Sequence, residues 1–103
     1  MMTTQTGLGV KELLAEKRDA IIAIASKHGA FNVRVFGSAA RGTANENSDI
    51  DFLVEFEPER TLFDRVGFKQ DLEALLDRRV DVAKPSNLNE RIRDKVLQEA
   101  VAL

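Results

Sequence analysis

The sequence predicts a single α+β domain in which helices alternate with short strands and cover a small β-sheet. Segments with apolar residues at every third or fourth position, typical of amphipathic helices, alternate with shorter segments that are rich in β-branched or regularly spaced apolar residues. Glycine, proline and polar clusters separate these segments. The length of 103 residues corresponds to one domain. Strands that are separated by helices pack most naturally as a sheet that the helices cover.

The composition excludes several classes of protein. Apolar residues make up 44% and charged residues 31% of the chain, an ordinary globular mixture. The net charge of −2, from 15 basic and 17 acidic residues, argues against coating nucleic acid by bulk electrostatics, so no direct nucleic-acid binding is expected. Because the chain contains no cysteine, disulfides and thiolate metal sites are excluded.

The sequence favours a cytoplasmic protein that has no membrane segment. No apolar run reaches the ~18 residues that a membrane-spanning helix needs. The first residues, Met1 to Gly7, are polar and lack the apolar segment of a secretory signal. We expect residues 1–8 to form a flexible tail and residues 9–103 to form the single domain.

The first half of the domain is predicted to contain a long helix, a strand and one helical turn. Helical periodicity runs from Val10 to Lys27, and Gly29 is a plausible stop. The next segment, Asn32 to Phe36, is β-branched and aromatic and is predicted to be a strand. A helical turn at Ala39 to Arg41, closed by Gly42, precedes a polar loop.

The clearest strand of the chain is Ile50 to Phe56. Its apolar residues alternate and therefore lie on one face of the sheet: Ile50, Phe52, Val54 and Phe56. Asp49 and Asp51 consequently share the opposite face. Pro58 ends the strand.

The second half is predicted to be helix, strand and helix. A helix capped by Thr61 or Asp64 runs to about Leu76, and its apolar residues include Val66, Leu72 and Leu75. The segment Val80 to Ala83 follows as a third strand. The last helix is predicted to start at a capping pair and to carry one apolar face: the pair is Asn87 and Glu90, and the face is Leu88, Ile92, Val96, Ala100 and Leu103.

Gly37 and Ser38 form a candidate phosphate site between the first strand and the helical turn. Glycine lets a ligand approach the backbone closely, and free N–H groups at a helix start favour phosphate. The Ser38 hydroxyl can add a hydrogen bond to a phosphate oxygen. Taken alone, the pair is more often only a turn.

Three aspartates form a candidate metal site. The carboxylates of Asp49 and Asp51 lie close together, and two like charges side by side favour a cation between them. Mg²⁺ prefers such oxygen ligands together with substrate phosphates. If the second and third strands are neighbours, Asp81 completes a cluster of the kind that serves phosphoryl transfer. The alternative is a solvated strand face.

The order and spacing of these motifs resemble the signature of the nucleotidyltransferase superfamily related to DNA polymerase beta, and most closely its minimal nucleotidyltransferases, which have about this length. The resemblance starts near Val10 and rests on these segments: Gly37-Ser38, Ala40-Arg41-Gly42, Ser48-Asp49-Ile50-Asp51, Arg79-Val80-Asp81-Val82 and the C-terminal helix Arg93 to Val101. It implies the nucleotidyltransferase fold, with a small mixed β-sheet covered by helices.

The resemblance also implies roles for the candidate residues. Gly37 and Ser38 would bind the triphosphate of ATP, and Asp49 and Asp51 would bind Mg²⁺. Asp81 would be the third metal ligand or the base for the attacking hydroxyl. The reaction would transfer a nucleoside monophosphate and release pyrophosphate. The role of Arg41 stays open between contact with phosphate or acceptor and pairing with a surface carboxylate.

Three functions remain open at this point. The resemblance implies a hetero-oligomeric antitoxin that adenylylates a hydroxyl, such as that of a tyrosine, on a HEPN-domain ribonuclease toxin. The chain has little room for an acceptor-binding domain, which favours a protein partner that supplies a surface. The phenylalanines are most simply core residues, but Phe63 and Phe68 of the helix that ends near Leu76 are candidates for that contact, because this helix has apolar residues on more than one side. The alternatives are a non-catalytic antitoxin that acts by contact, and an enzyme that modifies a small molecule.

Overall fold

The computed structural model describes residues 7–45 and 47–103 as five α-helices and a four-stranded sheet. The helices are α1 (Gly7–Glu16), α2 (Arg18–Lys27), α3 (Gly37–Arg41), α4 (Leu62–Leu76) and α5 (Glu90–Glu99). The strands are β1 (Ala30–Phe36), β2 (Ile50–Phe56), β3 (Val80–Ala83) and β4 (Val101–Ala102), and one turn of 3-10 helix spans Pro85–Asn87. This arrangement confirms the predicted α+β class. No helix within the described ranges is long and apolar enough to cross a bilayer.

The four strands form one mixed sheet in the order β3-β2-β1-β4. Strand β1 runs antiparallel to both of its neighbours, whereas β2 and β3 are parallel. The parallel pair aligns Ile50 with Val80 and Asp51 with Asp81. The predicted condition for an aspartate cluster is therefore met, because the strands that carry the aspartates are neighbours.

One face of the sheet carries the main core. Ile50, Phe52 and Val54 of β2 are completely buried, as are Phe68 and Leu72 of α4. Helix α2 packs on β1 and α4 packs on β3, so these helices cover that face. Leu53, on the other face of β2, is also completely buried. On this face of β2, the polar residues Asp51 and Glu55 lie on either side of Leu53, and both are half-buried.

The predicted helix from Val10 to Lys27 is two helices. The break lies at Lys17, whose backbone angles (φ −95°, ψ 6°) leave the helical region. Helical hydrogen bonding continues across it, since the Lys17 amide donates to the Leu13 carbonyl and the Ile21 amide to the Lys17 carbonyl. The helix α1 begins at Gly7, within the segment expected to be a tail, and residues 1–6 lie outside the described residues.

Helix α4 begins with the predicted cap and buries one stripe. The Thr61 hydroxyl accepts a hydrogen bond from the Phe63 amide, and the Thr61 amide donates one to Oδ2 of Asp64, which completes a capping box. Phe68 is completely buried, which confirms its simpler interpretation as a core residue and rules out the alternative of a contact residue. Phe63 is 88% exposed and Val66 is 44% exposed.

The C-terminal segment differs from the prediction. Asn89 caps α5 by accepting a hydrogen bond from the Arg91 amide, whereas Asn87 belongs to the 3-10 turn. The helix ends at Glu99 and does not continue through Leu103. Ala100 is extended (φ −63°, ψ 140°), and the following two residues form β4 on the edge of β1. Pairing with an open strand edge satisfies backbone groups that would otherwise stay unpaired.

Candidate active site

Asp51 and Asp81 occupy one register position on the two parallel strands. Their Cα atoms are partners in the β2–β3 ladder, so their side chains leave the sheet on the same face. Asp51 is half-buried and Asp81 is exposed. The pair therefore presents clustered oxygen atoms at the open end of the sheet.

The electrostatic environment opposes ionisation of Asp51. Partial burial raises the pKa of Asp51 above its usual value of 3.8, and the negative charges of Asp81 and Asp49 raise it further. The positive charge of Arg41 acts in the opposite direction but is the smallest influence. The site is thus one in which an added cation would relieve repulsion.

Asp49 precedes β2 and points toward a different partner. Its Oδ1 lies 3.1 Å from Nε of Arg79, and the Ile50 amide donates to the Arg79 carbonyl. Asp49 is still close enough to raise the pKa of Asp51. Among residues 7–45 and 47–103, no three acidic, histidine or cysteine side chains are arranged as a metal cage. The three-aspartate metal site therefore stays a prediction.

Gly37 adopts a backbone conformation that brings it against Asp51. Its φ of 67° lies in the left-handed region, which side chains rarely adopt. A Cβ atom at this position would lie 2.6 Å from Oδ2 of Asp51. The turn and the neighbouring carboxylate therefore both favour a residue without a side chain, and the role of Gly37 in binding phosphate stays a prediction.

Ser38 anchors the loop that joins α3 to β2. Its carbonyl accepts hydrogen bonds from the amides of Thr43 (3.0 Å) and Ala44 (3.2 Å). Gly42 closes α3 with φ of 77°, as predicted. Ser48 shapes the end of the same loop, since its hydroxyl accepts from the Asn45 amide. These hydrogen bonds fix the loop to Ser38, next to Gly37 and its contact with Asp51.

Arg41 pairs with Glu99, the last residue of α5. Its Nη1 lies 2.8 Å from Oε1 of Glu99, and the Gly37 amide donates to the same oxygen at 3.1 Å. Of the two roles left open for Arg41, pairing with a carboxylate is the one observed. Neither Glu99 nor Arg79 was predicted to contact a site residue, because each contact depends on the fold rather than on a local pattern.

A groove of about 250 Å³ lies next to Asp81. Apolar and basic side chains line it together with the aspartate: Leu62, Arg65, Val66, Lys69 and Val82. Arg65 is held in place by donating to the Val82 carbonyl at 2.6 Å. The carboxylate of Asp81 is therefore accessible from a partly apolar surface.

Known proteins with similar sequences have names that refer to nucleotidyl transfer. A provisionally named protein adenylyltransferase of Methanocaldococcus jannaschii is 43% identical over 79% of this chain and 87% of its own. The protein adenylyltransferase MntA of Thermococcus cleftensis is 39% identical over 86% of each chain.

Two solved structures are similar to this one. The structure of a provisionally named minimal nucleotidyltransferase has a TM-score of 0.82 and 49% identity, covering 89% of this chain and 94% of that one. A toxin–antitoxin crystal structure with AMP-PNP shares the fold at a TM-score of 0.69 and 24% identity, over 82% of this chain and 69% of that one. Residues 18–103 match the family described as nucleotidyltransferase domain. This chain belongs to the nucleotidyltransferase domain family.

Proposed function

We propose that this nucleotidyltransferase transfers AMP from ATP to a hydroxyl group of a protein partner, in a reaction that requires Mg²⁺. The observation that carries the proposal is the register of Asp51 with Asp81, beside Asp49 and the Gly37 turn. The names of the two adenylyltransferase relatives support transfer to a protein.

Asp49, Asp51 and Asp81 would hold the metal ions. Their carboxylate oxygens are the ligand type that Mg²⁺ prefers. Burial raises the pKa of Asp51, and the negative charges of Asp81 and Asp49 raise it further; a divalent cation would compensate these charges. When bound, Mg²⁺ would supply charge neutralisation for the phosphates of ATP. Asp49 must then exchange its contact with Arg79, a side chain that is 80% exposed, for the metal.

The remaining residues orient the nucleotide. Gly37 and Ser38 offer backbone amides and a hydroxyl to phosphate oxygens, and Arg41 offers a guanidinium that matches phosphate geometry. The side-chain-free backbone at Gly37 leaves the phosphates room beside Asp51. Holding the triphosphate in this way would fix the α-phosphorus in front of the groove at Asp81.

The chemical step forms one bond and breaks one. The acceptor oxygen attacks the α-phosphorus, and the bond from this phosphorus to the oxygen bridging to the β-phosphate breaks. Pyrophosphate leaves with the bonding electron pair, and AMP becomes esterified to the acceptor. The hydroxyl proton passes to a carboxylate, and Asp81 is suited to accept it because it lines the exposed groove.

The acceptor is proposed to be a hydroxyl, such as that of a tyrosine, on a HEPN-domain ribonuclease toxin, with this chain as its antitoxin in a hetero-oligomer. The resemblance to minimal nucleotidyltransferases names this partner. The surface at Leu62, Phe63 and Val66 supports a protein acceptor, since all three are exposed and two of them line the groove at Asp81. An attached AMP would add bulk and negative charge where RNA phosphates bind, which would silence a ribonuclease.

Calorimetric titration of ATP with and without Mg²⁺ tests the site. We expect binding that depends on Mg²⁺ and is lost in the double variant Asp49→Asn with Asp51→Asn. A control with the same change in charge is Asp19→Asn with Asp94→Asn, at two exposed positions away from the site, and it should bind normally. Equal binding by the Asp49/Asp51 variant and the wild type would show that the aspartates do not form the site.

A further inference from the structure

One carboxylate oxygen accepts hydrogen bonds from two of the donors that we assign to the triphosphate, the Gly37 amide and Arg41. Oε1 of Glu99 accepts from the Gly37 amide at 3.1 Å and from Arg41 Nη1 at 2.8 Å. Glu99 lies 62 residues from Gly37 in the sequence, and its side chain is 23% exposed. The contact therefore joins the C-terminal helix directly to the turn beside Asp51.

A phosphate oxygen and a carboxylate oxygen accept the same hydrogen bonds. Both are anionic acceptors, and a guanidinium and a backbone amide donate to either of them. A donor hydrogen that already points at Glu99 is not available in the same geometry to a triphosphate. Glu99 and the nucleotide thus compete for Gly37 and Arg41 if both donors serve the nucleotide.

We propose that Glu99 is an internal substitute for a phosphate group, which holds the nucleotide site of the free protein and must be displaced when ATP binds. This inference rests on the proposed function, because it takes Gly37 and Arg41 as triphosphate donors. It adds a residue of α5 to the site and predicts that the wild-type affinity for ATP is weakened by the protein's own side chain.

The Glu99 side chain can move away from Gly37 and Arg41 without any movement of the backbone. The Ala100 amide donates to the Val96 carbonyl at 2.8 Å, which holds the last turn of α5. The following residues pair with β1, and the Leu103 amide donates to the Val33 carbonyl. The backbone is therefore fixed on both sides of Glu99, and displacement needs only a change of its side-chain rotamer.

The contact between Arg41 and Glu99 is weak enough for a ligand to displace Glu99. The Arg41 side chain is 54% exposed, so water screens its attraction to Glu99 and can solvate it when the pair separates. The triphosphate of ATP brings several negative charges to the same donors, together with a divalent cation near Asp51. Replacement of Glu99 by the triphosphate is therefore favourable. Breaking the contacts of Glu99 nevertheless lowers the free energy that is gained when ATP binds.

Two variants at position 99 separate occupancy of the donors from net charge. Glu99→Gln keeps the shape of the side chain and removes its charge, whereas Glu99→Asp keeps the charge and withdraws the carboxylate by one methylene. Glu90→Gln, at an exposed position of the same helix, matches the first change in charge. Calorimetric titration with Mg²⁺ and ATP is the readout, and thermal melting confirms that each variant is folded.

We expect both Glu99 variants to bind ATP more tightly than the wild type, by roughly three- to tenfold, because a charge-assisted hydrogen bond no longer has to be broken. Glu90→Gln should stay within about twofold of the wild type, as expected for a surface change. Weaker or unchanged binding in both Glu99 variants would overturn the inference and make Glu99 a residue that shapes the turn. If neither Glu99 variant folds, the inference is also overturned, and Glu99 is a residue that the fold requires.

The outcome separates this inference from the function on which it rests. If the wild type binds ATP and the Asp49/Asp51 variant does not, the site stands, and unchanged Glu99 variants overturn only the role of Glu99. If neither the wild type nor the Glu99 variants bind ATP, both the site and the inference are wrong.

Discussion

Asp51 and Asp81 face each other across the two parallel strands of the sheet, where burial and the negative charge of Asp81 raise the pKa of Asp51. Two like charges directly opposite each other on neighbouring strands destabilise the sheet. The repulsion between the two carboxylates is therefore not required for folding.

Replacing one member of the pair should stabilise the free protein. We expect Asp51→Asn to raise the free energy of unfolding by up to ~1 kcal/mol, because repulsion from Asp81 and Asp49 is removed. Urea denaturation measures this change. Asp94→Asn, at an exposed position of α5, is the control and should shift stability by less than ~0.5 kcal/mol. A clear loss of stability in Asp51→Asn would mean that its charge has a structural role.

The second prediction separates backbone strain from crowding at Gly37. Gly37 and Gly42 both have left-handed φ values, but a Cβ at Gly42 would meet no atom within 4 Å. Each change to alanine should cost ~1–2 kcal/mol for the conformation. Only Gly37→Ala also displaces the Asp51 carboxylate, so only this variant should weaken ATP binding, by about tenfold or more.

Melting curves and ATP titrations on both glycine variants provide the measurement. Equal loss of ATP binding in the two variants would indicate a general disturbance of α3. Unchanged binding in a folded Gly37→Ala protein would remove Gly37 from the site.

The third prediction concerns the link between α2 and α4. His28 Nε2 lies 2.7 Å from Oδ2 of Asp71, and Lys27 Nζ lies 3.3 Å from the same oxygen. The hydrogen bond with His28, followed by that with Lys27, lowers the pKa of Asp71 below its usual value of 3.8. A carboxylate with a lowered pKa adds stability above the unfolded-state value, and this stability is lost as the pH falls through the lower folded-state value.

Asp71→Asn should therefore be less stable than the wild type at neutral pH, and the difference should shrink as the pH falls below about 3.8. Thermal melting of both proteins across the acid range measures it. Asp77→Asn is the control, since Asn is tolerated in the left-handed conformation that Asp77 adopts after α4. A difference that stays constant down to the lowest pH would contradict the assignment.

The fourth prediction tests the exposed surface beside the groove. Phe63→Ala should leave folding and ATP binding unchanged, because the side chain is 88% exposed. Transfer of AMP to the partner should fall by about tenfold or more if Phe63 anchors that protein. Phe31→Ala, an exposed phenylalanine on β1, is the control and should not affect transfer. Equal transfer by all three proteins would place the partner elsewhere.

Local sequence signals explain which elements could be predicted. The strand Ile50–Phe56 was predicted to the residue because apolar alternation and a following proline are both local. The strand Val80–Ala83 was predicted equally well, and its identity as a strand placed Asp81 on the same face as Ala83. Because the two strands are neighbours in the sheet, Asp51 and Asp81 lie close together.

Other features depend on tertiary contacts that leave no local pattern. Lys17 carries no glycine or proline signal, so the break between α1 and α2 could not be located. The apolar spacing of α5 continues through Ala100 and Leu103, and only the open edge of β1 turns that segment into a strand. The contact of Glu99 with Gly37 spans 62 residues and was invisible for the same reason.

The most direct test of the proposed function is the mass of the partner. The chain is co-expressed with the product of the neighbouring gene, as wild type or as Asp49→Asn, and the partner is analysed by intact-mass spectrometry. We expect one or more added AMP groups on the partner with the wild type and none with Asp49→Asn, since the transfer requires that carboxylate. An unmodified partner that both proteins nevertheless inhibit would contradict catalysis and establish an antitoxin that acts by contact.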